Sequence, residues 1–438
     1  MNTNSESGIQ PRDKTQYVSK YKLSKHWKRS LGLAHGKTQS EIYKYKVEGI
    51  SLLNRAKDFL KIRLFEWIWH YIKSRFGGKW AFQSYTSSND NGLYNLNLQT
   101  DLQNSDTVSL SLIGDWGSGT EDAREVANKV KQDSPDFTIH LGDVYYVGTK
   151  SEVQENMLGG KVQWPIGKRG SFALNANHEM YARGKAYFKY LLPALGIFDQ
   201  KSGKLKGQKA SYFCLKNEHW LIIGLDTGYY SIGIPIFEMI FKPNAKLHRK
   251  QIEWLKNDLC LQDDHQRGII LLSHHQYYSQ FEPGYNTPAK QLCQFIDRPV
   301  LWFWGHEHRF AIYGKHTTKK GKLSAYGRCI GHGGLPIEDI SEQPKDDEEY
   351  SVGLVLYDKR VKEQIGESKT PVGYNGYANL FIRGKNLIVE YKDTEQCLVR
   401  EEWKVDQNGV LKGVSFNTLI NNPQFAPYKG VDLQSAIR

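Results

Sequence analysis

The chain has no apolar run of about 20 residues, the length a helix needs to span a bilayer, so no transmembrane helix is expected. Cysteine is scarce. Cys214, Cys260, Cys293, Cys329 and Cys397 are scattered, odd in number and never in a C-x-x-C pair. This spacing argues against a zinc ribbon or a disulfide framework and mildly for a reducing compartment. The opening Met1-Asn2-Thr3-Asn4-Ser5-Glu6 lacks a basic-then-apolar secretory pattern, so the expected location is cytoplasmic. No P-loop, no G-x-S-x-G and no G-x-G-x-x-G occurs, which argues against P-loop nucleotide chemistry, an α/β-hydrolase serine and a dinucleotide fingerprint. Internal repeats and low-complexity tracts are also lacking.

What remains is a folded composition with an uneven charge. Of 438 residues, 39% are hydrophobic and 13% aromatic, enough to bury one large core or two ordinary ones. Net charge is +12, and residues 1–100 account for most of it, with 17 Lys/Arg against 7 Asp/Glu. Basicity therefore belongs to the leading segment. Within it, Leu53, Ala56, Leu60, Leu64, Trp67, Ile68 and Tyr71 recur at helical spacing, predicting an amphipathic helix at about 51–76. Gly77-Gly78 ends it, and a polar linker follows. Its basic, aromatic-rich character suits peripheral contact with an anionic membrane. Packing of its apolar face on the rest of the chain is the competing reading, and no specific nucleic acid is expected as a partner.

After about residue 105, strands alternate with helices, the pattern of an α/β layered fold. Strands are predicted at 108–113, 137–141, 172–174, 210–215, 220–225, 268–272 and 300–304. Helices are predicted at 121–131, around 186–195, and at 247–259 and 289–296. From residue 323 to 405 short strands dominate, which predicts a second, more antiparallel sheet packed on the first. The division expected is a basic extension over 1–100, a catalytic region over 105–405 and a tail over 406–438.

Five short motifs at the ends of predicted strands carry metal-ligand side chains. They are Gly114-Asp115-Trp116-Gly117, Gly142-Asp143-Val144-Tyr145-Tyr146, Asn177-His178-Glu179, Ser273-His274-His275 and Gly305-His306-Glu307-His308. A single strand-end aspartate is most simply a helix cap or turn residue. Five such motifs together can hold two cations side by side, an arrangement that clamps a phosphoryl group and stabilises both the attacking and the leaving oxygen.

In this order the motifs resemble the calcineurin-like metallophosphoesterases, and within them the purple acid phosphatase branch. Gly117 stands where many relatives carry a metal-binding histidine, and Tyr146 lies three residues after Asp143. The resemblance implies a four-layer α/β/β/α sandwich with mixed sheets. It places one metal on Asp115, Asp143, Tyr146 and His308, and a second on Asp143, Asn177, His274 and His306. The first set suits Fe(III); the second suits Fe(II), Zn(II) or Mn(II). It implies hydrolysis of phosphate monoesters, on a small molecule or a protein, by in-line attack of a metal-bound hydroxide. Asp143 is then the bridging catalytic carboxylate and His178 the phosphate contact and proton donor, with Asn177 also facing substrate. The same core hydrolyses diesters in some relatives.

Two departures from the family pattern stand out. Ala176 replaces a glycine, which requires a negative φ there. The stretch Gln276–Glu282 also lacks a substrate-positioning histidine found in plant and mammalian acid phosphatases. His275 is the candidate substitute, although on a continuing strand it would point away from His274. His332, in Gly331-His332-Gly333-Gly334, is a further candidate for the phosphate pocket, Asp226 a candidate for orienting a ligand, and Trp116 a residue that either shields the site or packs.

Overall fold

The computed structural model describes residues 78–86, 90–97, 107–199, 202–231, 245–335, 337, 342–345, 351–365 and 370–438. The amphipathic helix expected at 51–76 lies outside them. Among the described residues no helix is long and apolar enough to cross a membrane.

Two eight-stranded mixed sheets face each other. The strands that carry the site are β1 (Val108–Ile113), β2 (Phe137–His140), β3 (Gly170–Ala173), β4 (Gly268–Ser273) and β5 (Val300–Trp304). In the first sheet β1, β2 and β3 run parallel, and the antiparallel series Gly376–Arg383, Asn386–Asp393, Cys397–Val405 and Leu411–Thr418 extends from β1. In the second sheet Trp220–Gly224, β4, β5 and Ser324–Ile330 are parallel neighbours. Parallel pairing brings the C-terminal ends of β1, β2 and β3 to one edge, and those of β4 and β5 to one edge of the facing sheet. Every candidate motif follows one of these five strands.

Strand alternation explains the layering, because successive side chains on a strand point to opposite faces. Leu110, Leu112, Ile139, Ile270, Leu272, Leu301 and Phe303 meet between the sheets. Ile269, Leu271, Trp302 and Trp304 belong instead to the outer core, together with Val126 and Val130 of helix α1 (Glu121–Asp133) and with Trp254 and Leu255 of Arg249–Asn257. Both faces of each sheet are thus covered, which is why β4 and β5 are apolar along their whole length. Thr120 caps α1 by accepting from the Ala123 N–H, and Glu121 and Asp122 favour its positive end.

Several expected boundaries are corrected. The helix anticipated around 186–195 is a π-helical turn over Tyr187–Leu191 followed by a 3-10 turn, with Pro193 closing the segment to regular α-helix. Phe310–Thr317 is an additional strand between Ser324–Ile330 and Leu354–Tyr357. The extension does not end at residue 100, because Leu93–Asn95 pairs in parallel with Phe213–Lys216. Residues 406–438 are not a tail. Asp406 folds a turn by accepting from the Asn408 and Val410 N–H groups, and Leu411–Thr418 returns along Cys397–Val405.

The last residues are pinned from within. Arg328 donates to both oxygens of Glu401 and to the Ala436 carbonyl, and the guanidinium and carboxylate are fully buried. Glu401→Ala would leave that guanidinium unpaired in the core. A loss of about 3–5 kcal/mol of unfolding free energy is expected, read as a lower midpoint in urea.

Candidate metal centre

β1 ends at Ile113, and the chain turns through Gly114 into Asp115; β2 likewise runs through Gly142 into Asp143. Asp115 (φ 57°), Asp143 (φ 78°) and His306 (φ 68°) all adopt left-handed backbone, a conformation that costs a non-glycine residue on the order of 1–3 kcal/mol. It turns each side chain out of its strand direction and into the crevice. The glycines beside them permit close approach. A Cβ at Gly305 would fall 2.4 Å from Asp115 Oδ2, and one at Gly117 would fall 2.7 Å from the Asp143 carbonyl oxygen. Gly117 is therefore required where the loops after β1 and β2 meet, which they do through the Gly117–Val144 bridge.

The carboxylates sit at the centre of the cluster. Asp115 Oδ2 accepts from the His306 N–H at 2.8 Å, and its Oδ1 lies 3.4 Å from His308 Nε2. Asp143 Oδ1 accepts from the His178 N–H at 3.2 Å and lies 3.5 Å from His274 Nε2. Both are buried, and among the described residues no lysine or arginine pairs with either. Burial pushes both carboxyls up. His308, His274 and His306 draw Asp115 back down to about 2, whereas Asp143, beside the Asp115 charge, is held at about 6.

A second group of donors adjoins Asp143. His274 Nε2 lies 3.0 Å from Asn177 Oδ1 and 3.2 Å from His306 Nδ1. His274 Nδ1 faces the Leu141 carbonyl oxygen at 3.1 Å. A carbonyl only accepts, so Nδ1 carries the proton and the Nε2 lone pair is turned to the cluster, the tautomer of a metal ligand. Lone pairs directed at one another across 3 Å repel unless a cation lies between them. This donor chemistry fits a bound metal.

Tyr146, expected as a ligand, is 42% exposed, and its carbonyl accepts from His178 Nδ1 at 2.7 Å. Its neighbour Tyr145 is buried instead. The Tyr145 hydroxyl lies 2.9 Å from Asp115 Oδ1, 3.0 Å from Asp143 Oδ2 and 2.9 Å from His308 Nε2. Burial and the two carboxylates hold this phenol well above 10. The correction is one residue along the chain, since the turn after Asp143 directs the second aromatic outward.

The other candidates sort as follows. His178 is buried over Tyr145, with Nε2 3.7 Å from Asp143 Oδ2. His275 does not point away from His274: β4 ends at Ser273, the chain bends, and one nitrogen each of His274, His275 and His306 lie within 4.8 Å of one another. His332 is not brought to the donors. Its ring is buried against Phe310, and burial holds it neutral, down at about 3. Trp116 packs edge-on against Trp164 and donates to the Ala123 carbonyl, so it is a core residue. Asp226 accepts from Asn175, Ser211 and the Gly228 and Tyr229 N–H groups, so it braces the loop that leads into Asn177. Ala176 has φ −134°, which alanine adopts freely, and Gly142 is bare where a Cβ would fall 2.6 Å from the Ala176 methyl.

Sequence reasoning missed Glu179 and Thr227. Glu179 Oε2 accepts from the Asp143 N–H, and burial, then the Asp143 charge, hold its carboxyl well above the usual range. It stands in the quoted Asn177-His178-Glu179 motif. Thr227, whose hydroxyl meets His275, has no signal in the sequence.

The model of the family described as calcineurin-like phosphoesterase matches residues 109–310. No curated protein matches the chain. Among solved structures it is similar to GAP50, the anchor in the inner membrane complex of Plasmodium, at 13% identity, covering 69% of this chain and 91% of that one with a TM-score of 0.43. It is similar to PhoD at 14% identity, covering 71% and 72% with a TM-score of 0.43. Vacuolar protein sorting 29 from Cryptosporidium parvum is 9% identical, with 71% and 98% covered and a TM-score of 0.25.

The geometry separates the two adjacent tyrosines. Tyr145→Phe should lower cation content measured by elemental analysis, because it deletes the hydroxyl shared by Asp115, Asp143 and His308. Tyr146→Phe should leave cation content unchanged. The reverse pattern would overturn the placement.

Proposed function

Residues 109–310 belong to the calcineurin-like phosphoesterases, hydrolases acting on phosphate esters, and from that premise we propose that the chain is a two-cation phosphomonoesterase of purple acid phosphatase type. One observation carries the reading. Asp143 stands between two donor groups, Asp115, Tyr145 and His308 on one side and Asn177, His274 and His306 on the other. Two carboxylates, a phenol and one imidazole form a hard anionic set that suits Fe(III); an amide oxygen and imidazoles suit Fe(II), Zn(II) or Mn(II). A cation pair bound there supplies Lewis acidity to the phosphoryl group and acidity to water.

The chain's own residues supply orientation and a proton. The Tyr146 carbonyl holds His178 Nδ1, which leaves Nε2 over Asp143 to face the ester. From there the imidazolium hands its Nε2 proton to the leaving oxygen. Asn177 sits one residue away and shares the braced loop, so metal site and proton donor move together. Walls built from Tyr181 and Tyr145 around His178 exclude water from that face. The substrate is a phosphorylated small molecule or protein.

The basic aromatic segment that precedes Gly78 supports a further proposal, peripheral contact with an anionic membrane through residues 1–77.

Two tests follow from this reading. His178→Ala should retain its cations and lose roughly 10²–10⁴-fold in kcat on a monoester with a poor leaving group; near-full activity would remove the proton-donor role. Wild type should hydrolyse p-nitrophenyl phosphate faster than its bis(p-nitrophenyl) diester, and a reversed order would make the enzyme a phosphodiesterase. Separately, a chain lacking residues 1–77 should stay soluble and active but cease to sediment with anionic vesicles at low salt. Unchanged sedimentation would end the membrane proposal.

A further inference from the structure

His275 is turned into the metal centre by features that a strand-end histidine does not need. Its backbone N–H donates to Thr227 Oγ1 at 3.2 Å, and its carbonyl accepts from the Ser273 hydroxyl at 2.9 Å. Main chain on both sides of the residue is thereby fixed. The ring is fixed as well, with Nδ1 3.0 Å from the same Thr227 oxygen. Around it stand the rings of His306 at 4.7 Å, Tyr285 at 4.8 Å and His274 at 4.9 Å. The residue is 2% exposed, so these walls leave little open face on which a phosphoryl group could rest.

With Nδ1 engaged by Thr227, the nitrogen left to act is Nε2. One ring nitrogen from each of His274, His275 and His306 falls within 4.8 Å of the other two, close enough that a small inward shift of the rings brings all three onto one cation with bonds of about 2.0–2.1 Å. We propose that His275 Nε2 is a third imidazole donor to the cation held by Asn177, His274 and His306, and that this site is built for a borderline divalent ion such as zinc. The assignment rests on the two-cation reading above. Coordination through Nε2 requires Nδ1 to carry the proton and donate it to Thr227 Oγ1, so Thr227 sets the tautomer. Three imidazoles and an amide oxygen, beside the Asp143 carboxylate shared with the other cation, form a nitrogen-rich set. Imidazole suits zinc, whereas manganese and magnesium favour carboxylate, carbonyl and water oxygens.

The test uses the full chain without substrate, so that it reads the metal and not the reaction. Zn(II) and Mn(II) affinities are measured by competition with a chromophoric chelator, and the site is read independently by the visible absorption of Co(II). His275→Gln, which keeps the bulk of the ring, should lose more than about 100-fold in Zn(II) affinity at one of two sites, since removing only an outer partner costs about 10–100-fold. Its preference for Zn(II) over Mn(II) should shrink, and its Co(II) spectrum should change. Thr227→Val should show a smaller loss of the same sign. Melting of the cation-free proteins checks that the variants fold, and His275→Ala serves as the second variant. Unchanged Zn(II) affinity and Co(II) spectrum in folded His275→Gln, with a higher KM only, would make His275 a substrate contact and overturn the assignment. A wild-type chain that binds no cation would overturn this assignment and the phosphoesterase reading together.

Discussion

Two carboxylates, Asp115 and Asp143, are taken out of water in the middle of this fold with no lysine or arginine among the described residues to answer them. Burying a charge is unfavourable by several kcal/mol unless something of opposite sign replaces the lost hydration. Here the replacements are four imidazoles, a phenol and backbone N–H groups, each weak alone. Asp115 is drawn down to about 2 by His308, His274 and His306, whereas Asp143 is held up at about 6 by burial and then by the Asp115 charge, as two like charges competing for one set of partners must be. A cation bound among these donors would relieve that conflict.

The same constraint explains the strained backbone and the glycines. Side chains on parallel strands point to the two faces of the sheet, not along the strand toward its end. To bring Asp115, Asp143 and His306 into the crevice the chain leaves the strand through left-handed residues. Gly114, Gly142 and Gly305 precede those three positions, and Gly117 lets the loops after β1 and β2 touch. Strain of this size persists only where the surroundings enforce it, and here the enforcing groups are the hydrogen bonds from the His306 and His178 N–H groups to the two carboxylates.

This division also explains what the sequence could reveal. The parallel strands β4 and β5 were legible because burial on both faces makes them nearly continuous apolar runs, and β1 and β2 because their apolar residues alternate with Ser109, Ser111, Thr138 and His140 at the period of a strand. The aspartates and histidines were legible because they follow those runs directly. Which of two adjacent tyrosines faces inward was not, because it depends on the turn after Asp143 and not on hydrophobic period. His275 was misjudged for a related reason: alternation predicts opposite faces only while the strand continues, and β4 stops at Ser273. The closing strand Leu411–Thr418 went unseen because its partly exposed alternation and the single Gly413 weaken its pattern, and only pairing with Cys397–Val405 completes it. His332 looked like a pocket residue because glycines surround it, yet Gly333 and Gly334 serve close packing on the Gly114 and Trp116 backbone, and a Cβ at the distant Gly376 would fall 2.7 Å from the buried His332 Nε2.

One loop joins these local features to the rest of the chain. Residues 226–231 brace Asn175 through Asp226 and hold His275 through Thr227, and Gly228 lies bare against the backbone of Asn175 and Ala176. The same loop is clipped from outside: Lys79 donates to the Tyr229 carbonyl, and the Tyr229 hydroxyl donates to that of Trp80. Trp80 N–H in turn donates to the Arg183 carbonyl, two residues past the helix that starts at Asn177. Residues 79 and 80 are therefore part of the scaffold that sets the Asn177 side of the metal centre, whatever the segment before Gly78 contacts. Among the described residues the first of these hydrogen bonds comes from Lys79, so the catalytic scaffold includes residues ahead of the polar linker that composition alone suggests as its boundary.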